Sequence, residues 1–313
     1  MSEHTPTGDK NLATDRQALS FVLEALDLEK LEENLFRGPS IHTDWRRVYG
    51  GQVLGQALSA ATKTVDEGRG AHSIHAYFLL PGDPKAPIVY EVENLRDGGS
   101  FSTRRVKAIQ HGKVIFVMSV SLQIHEDGLS HAAPAPEVPP PEELTGIREL
   151  ALTHQDQLPP ALVKYLTGPQ PIEVRPIDLS RYTTRNPREP VEHMWLRARD
   201  RLPDNGAVHV SLLAYASDFT LLQTALLGHG KLMTDPDIQL ASLDHAMWFH
   251  RPFRADKWVL YTMDSPNAGG ARGFSRGQFF TRDGLLIAST AQEGLMRVRT
   301  PRDSPQSKHN KNA

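Results

Sequence analysis

The sequence predicts an α+β fold built twice, each copy an antiparallel sheet curled around a long helix. Three observations predict it. The stretch Ser73–Pro81 (Ser-Ile-His-Ala-Tyr-Phe-Leu-Leu-Pro) is echoed about 170 positions later by Ser242–Pro252 (Ser-Leu-Asp-His-Ala-Met-Trp-Phe-His-Arg-Pro). Each echo leads to a Gly-Gly step, Gly98-Gly99 and then Gly269-Gly270, and to an alternating strand pair. An apolar-faced helix precedes the strands both times. A doubly wound α/β sheet would alternate strands with helices, and this pattern does not.

Taken in order, Asp15 to Leu35 reads as a short helical opening, with Leu19, Val22, Leu23 and Leu26 at helix spacing. Tyr49–Asp66 is amphipathic. Val53, Leu54, Ala57, Leu58, Ala61 and Val65 share one side, and Gln52, Gln56, Ser59, Thr62 and Lys63 take the other. Strands are expected at Ala71–Leu80, Pro87–Arg96, Phe101–His111 and Val114–Ile124, with Pro-Gly-Asp-Pro, Asp-Gly-Gly and His-Gly-Lys as turns. From Glu126 to Glu143 the composition shifts: five prolines lie between Pro134 and Pro141, among acidic residues, as in an extended linker. The second unit has strands at Ile172–Leu179 and Val191–Arg199 and a helix from Val208 to Leu227. Further strands follow at Gln239–His250, Trp258–Ser265, Arg272–Thr281 and Leu285–Arg297.

At 313 residues and a formal charge of −2, the chain has room for about two domains and no bulk basic character. That argues against nucleic acid or a polybasic membrane contact as partner. With no cysteine there is no disulfide, thiolate nucleophile or Cys-ligated zinc, which fits a reducing compartment. The polar start lacks a signal-peptide pattern, no apolar run of membrane-spanning length stands out, and the ending Lys-Asn-Ala is not a peroxisomal address. A cytoplasmic location is the expectation. His72 and His75, and likewise His245 and His250, are out of phase along their strands and have no cysteine or carboxylate set beside them, so no metal is expected.

One position breaks the second helix. On a wheel, Leu212, Ala214, Tyr215, Phe219, Leu221, Leu222, Ala225 and Leu226 crowd one face, while Ser217, Thr220, Gln223 and Thr224 gather opposite. Asp218 falls in the middle of the apolar side, where a carboxylate costs several kcal/mol unless partnered. It is either a structural tie to a strand or part of a site. The first-copy helix has no carboxylate before Asp66, so the scaffold does not require one. Period-2 alternation puts Ser242 with Leu240, Ala246 and Trp248 on one strand face. Gln292 aligns likewise with Leu286, Ala288, Thr290 and Met296. A carboxylate, a hydroxyl and an amide make a plausible set for holding and deprotonating water.

On these residues the chain resembles the acyl-CoA thioesterase II family, over roughly Leu31 to Val298. The carriers are Tyr49–Ala57 (Tyr-Gly-Gly-Gln-Val-Leu-Gly-Gln-Ala), Ala241–Pro252, Ala271–Gly277 (Ala-Arg-Gly-Phe-Ser-Arg-Gly) and Ala288–Arg297. The resemblance implies a tandem double hotdog: two antiparallel sheets, each wrapped around a long central helix. The units would be a catalytically degenerate N-terminal hotdog (16–125), a Pro/acidic linker and helix (126–168), a catalytic C-terminal hotdog (169–299) and a disordered tail (300–313). It implies hydrolysis of fatty acyl-CoA to free acid and CoA, with Asp218 as base and Ser242 and Gln292 orienting water. No cofactor is implied. Acyl-CoA is the expected substrate, and a homo-oligomer, dimer or larger, is the expected assembly.

Three rival readings fit the same sequence. Gly273-Phe-Ser-Arg-Gly277 matches a Gly-x-Ser-x-Gly nucleophile elbow, but strand, turn and strand follow Ser275 where that elbow needs a helix. A hydratase acting on an acyl thioester and a non-catalytic acyl-CoA binder are the other two. Arg104, Arg105, Lys107, Arg272 and Arg276 flank the Gly-Gly steps and suit either CoA phosphates or solvated strand edges.

Overall fold

The computed structural model describes residues 7–41, 47–178 and 180–299; the expected tail at 300–313 lies outside them. Helix α1 (Thr7–Leu26) leads into β1 (Glu29–Glu32) and β2 (Leu35–Gly38), a short hairpin where the sequence suggested continued helix. Helix α2 (Gly50–Thr62) precedes β3 (Arg69–Phe78), β4 (Ile88–Asp97), β5 (Phe101–Gln110) and β6 (Lys113–Ile124). These strands agree with the alternation. The β5–β6 turn is the expected one: His111 and Gly112 both take positive φ, 49° and 69°, as a two-residue hairpin turn requires.

The second half follows a 3₁₀ turn at Pro141–Glu143, then α3 (Ile147–Thr153), α4 (Pro160–Thr167), β7 (Ile172–Pro176), α5 (Ser180–Thr183) and β8 (Val191–Ala198). Helix α6 (Gly206–Ser217) starts at Asn205, whose side chain accepts from the Ala207 N–H and caps an orphan donor. A 3₁₀ segment (Leu222–His229) and strands β9 (Ile238–Ser242), β10 (Asp244–Phe249), β11 (Val259–Gly269), β12 (Arg272–Thr281) and β13 (Leu286–Val298) follow.

All thirteen strands of the described residues lie in one antiparallel sheet, not in two. The order is β1-β2-β4-β5-β6-β3-β10-β13-β12-β11-β8-β7, with β9 also on β13. The two halves fuse because β3 and β10 pair edge to edge, Ile74 opposite Met247 and Ala76 opposite His245; the pairing satisfies a row of edge N–H and C=O groups. The order reads alike from both ends, so β3 matches β10, β6 matches β13 and β5 matches β12. Helices α2 and α6 pack on each other; α2 also lies on β2 to β6, and the 3₁₀ segment on β8 and β11 to β13.

Three local expectations need correction. The polar side of α2 is not solvated, since Gln52 and Gln56 are buried beneath α1 and the β1–β2 region. There the Gln56 amide donates to Ala25 O and Pro39 O and accepts from the Tyr90 hydroxyl. The linker is not a free tether. Its Ala135, Val138 and Leu144 pack against Trp195, Trp258, Leu260, Phe280 and Leu286, and the Trp195 indole donates to Pro139 O at 3.0 Å. Finally, Gly206–His229 is apolar over a membrane-spanning length, but most of it is buried within the protein, as a core helix is.

Candidate active site

The expected helix through Val208 to Leu227 breaks at Asp218. Its periodicity continues past the break, but the backbone does not: α6 stops at Ser217 and Asp218 is its C-cap. Two phenols meet the carbonyls at that end. Tyr49 of the first half donates to Tyr215 O at 2.9 Å, and Tyr261 of β11 donates to Ser217 O at 2.9 Å. Asp218 therefore sits at a helix end, not in mid-face.

Ser242 reaches it through a bulge. Ser242 pairs with Gly294, whereas Ala246 pairs with Ala291, a one-residue shift across Leu243. The bulge reverses the alternation, because one extra residue flips every later side chain. His245, Met247 and Phe249 therefore face the core while Trp248 is more than a third exposed, so Ser242 does not share a face with Ala246 and Trp248 as expected. Gln292 on β13 keeps its predicted phase and is fully buried.

The three side chains converge. Gln292 Nε2 donates to Asp218 Oδ1 at 2.7 Å, and Ser242 Oγ donates to the same oxygen at 3.4 Å. The Gly51 backbone N–H, at the start of α2, donates to the carboxylate as well. Burial dominates the electrostatics and pushes the Asp218 carboxyl up to about 6; the bonds from Gln292, Gly51 and Ser242 oppose it. The carboxylate lies between the negative end of α6 and the positive end of α2. Gly50 lines its other side, where an added Cβ would stand 2.7 Å from Asp218 Oδ2. Tyr49 and Tyr261, beside this acid, are both held well above the ordinary phenol range, first by burial and then by the Asp218 charge.

Ser275 stands directly opposite Gln292. It lies inside β12, fully buried, and both its Oγ and Gln292 Oε1 are without a hydrogen-bond partner. Mid-strand burial is no nucleophile elbow. Four of the five basic candidates near the Gly-Gly steps are engaged elsewhere: Arg104 is buried, Lys107 pairs with Glu91, Arg272 with Glu293 and Arg276 with Asp264, whereas Arg105 is exposed on β5. Sequence reasoning missed Tyr49, Gly51 and Tyr261. The Tyr-Gly-Gly opening of α2 was the available signal, since two glycines at a helix start permit close approach of another group.

Comparison with known proteins identifies the family of the chain. A family model described as acyl-CoA thioesterase matches residues 171–295, and one described as the acyl-CoA thioesterase N-terminal domain matches 41–123. The chain is 42% identical over 287 residues to human acyl-coenzyme A thioesterase 8, covering 89% of each. It is similar to the crystal structure of an acyl-CoA thioesterase II from Mycobacterium marinum, with 42% identity and a TM-score of 0.74, over 89% of this chain and 99% of that one. A hot dog fold protein of unknown function from Alicyclobacillus acidocaldarius, only 18% identical, superimposes with a TM-score of 0.72 over 89% and 98% of the two chains, which shows the fold. With its hotdog fold and these matches to both halves, the chain belongs to the acyl-CoA thioesterase family and is a thioester hydrolase.

Proposed function

We propose that this protein cleaves fatty acyl-CoA by direct attack of water at a single site in its C-terminal half, where Asp218 is the general base. The convergence of Gln292 and Ser242 on one oxygen of a carboxylate pushed up to about 6 carries the reading. An acid in that range is ionised at neutral pH yet basic enough to take a proton. Asp218 removes a proton from water as its oxygen bonds to the thioester carbonyl carbon. The tetrahedral intermediate then collapses, the C–S bond breaks, and the CoA thiolate takes up the proton from Asp218. Ser242 and Gln292 hold the water in line, which removes part of the entropic barrier. In the same reading each half of the sheet curls around its own helix, and the N-terminal half has lost the chemistry. The protein acts in the cytoplasm as a homo-oligomer.

Thiol release from acyl-CoAs of increasing chain length tests this. Asp218→Asn is expected to fold and to lose about 10²- to 10⁴-fold in kcat. In the wild type, kcat should climb about tenfold per pH unit below about 6 and level off above it. Near-normal turnover by Asp218→Asn removes Asp218 from the reaction.

A further inference from the structure

One buried polar cluster has no part in the chemistry above. His245 of β10 lies with its Nε2 2.9 Å from Ser217 Oγ of α6 and 3.0 Å from Thr290 Oγ1 of β13, and all three side chains are buried. Each hydroxyl also has a carbonyl to donate to: Ser217 to Ala214 O and Thr290 to Ala246 O, both at 2.9 Å. If each spends its one proton there, His245 Nε2 must carry the proton and donate to both oxygens. The opposite tautomer would put an N–H at Nδ1, which is buried without a partner; an orphaned buried donor costs more than an under-used acceptor. Protonation raises the same problem, and burial lowers His245 to about 3. The imidazole is a neutral fork.

The fork joins the three elements that carry the site. Ser217 is the residue before Asp218, Thr290 lies two positions before Gln292 on the same strand face, and His245 follows Ser242 across the Leu243 bulge. The scaffold does not need it. Through the symmetry of β3–β10 pairing, His245 corresponds to Ile74 and Thr290 to Met118, both fully apolar and buried. Building on the water mechanism above, we infer that His245 is a positioning residue which, through Ser217 and Thr290, sets the distance between the Asp218 carboxylate and the Ser242 and Gln292 side chains. Ser217 is then a strut, and the Ser217–His245 contact is not a nucleophile–base pair, since the Ser217 proton is already committed to Ala214 O.

The titratable groups bonded to or next in sequence to the fork are Asp218, which follows Ser217, Tyr261, whose hydroxyl bonds Ser217 O, and Asp244, which precedes His245 and accepts from the Glu293 N–H. The experiment measures kcat, KM and the pH–rate profile for His245→Leu, His245→Gln, Thr290→Val and Asp218→Asn in the full chain. His245→Leu should lose about 10- to 100-fold in kcat with KM changed less than about threefold, the scale of a sub-ångström misplacement. Its acid limb should shift, because Asp218 loses its fixed partners. His245→Gln, which returns an N–H near Nε2, should recover most of the loss. Thr290→Val, which keeps the shape and folds, should lose a few-fold, with little further loss when combined with His245→Leu. Wild-type kcat and pH profile in both His245→Leu and Thr290→Val overturn the inference, as does labelling of Ser217 by a fluorophosphonate. An active Asp218→Asn indicts the water mechanism instead, and an inactive one beside a normal His245→Leu sinks only the positioning role.

Discussion

In the C-terminal half, β12 sets Ser275 opposite Gln292 of β13; at the matching place in the N-terminal half, β5 sets Arg104 opposite Val120 of β6. The bulge recurs too, at His72 in β3 as at Leu243, so Ala71 stands where Ser242 does. Lys63 caps α2 as Asp218 caps α6. The N-terminal half thus has lysine, alanine and valine where the other has aspartate, serine and glutamine, and a guanidinium occupies the space. All five Arg104 donors are used, on Thr64 Oγ1, Thr64 O, Arg96 O, Thr103 O and Asp97. A cation at the end of α2 also suits that helix dipole. At the matching place in the C-terminal half a carboxylate sits at the helix end, and beside it Ser275 Oγ and Gln292 Oε1 lack partners. The Arg104 cluster has settled its polar groups for stability, while the Asp218 site leaves them poised, as functional sites do.

The contrast can be broken or sharpened by substitution. Arg104→Ala should cost about 3 kcal/mol or more, because it opens a cavity and strands buried carbonyls, with kcat per folded molecule unchanged; urea unfolding beside a thiol-release assay reads both. Lost turnover in a folded Arg104→Ala would mean that the Arg104 cluster supports the Asp218 site. A smaller effect concerns Asp218 itself. Its folded pKa, about 6, lies above the ordinary 3.8, so between those values the folded state holds a proton that the unfolded state has released. Its contribution to stability is present below about pH 4 and is lost as pH rises through 6. Asp218→Asn should therefore melt higher than wild type at pH 8, by about 1–3 kcal/mol in stability, and match it at pH 4. Smallest of all, Ser275→Ala removes an unpaired buried hydroxyl and should change stability by less than about 1 kcal/mol, with kcat within threefold. Abolished turnover there would restore the nucleophile reading.

Most strands were legible because one face of each is buried and the alternation is clean. Asp218 was legible as an acid among apolar neighbours, and Gln292 as an amide among Leu286, Ala288 and Thr290. The break at Asp218 was not, since Phe219 to Leu227 continue an apolar helical pattern and the hydroxyls of Tyr49 and Tyr261 come from elements far off in sequence. The bulge at Leu243 carries no glycine to announce it, so the phase of Ala246 and Trp248 was misread. Burial of Gln52 and Gln56 depends on α1 and on a hairpin of two four-residue strands, the first of which, Glu-Lys-Leu-Glu, resembles a solvated turn. The prolines between Pro134 and Pro141 gave extension but not the tryptophan face that receives them.

The β3–β10 seam has a practical corollary. Cutting the chain in the linker to study each half alone would strip hydrogen-bonding partners from Ile74, Ala76, His245 and Met247 at once, leaving two raw β-edges in solution. Such fragments would seek each other or their own kind, so recombining them in one tube is the better way to ask what each contributes.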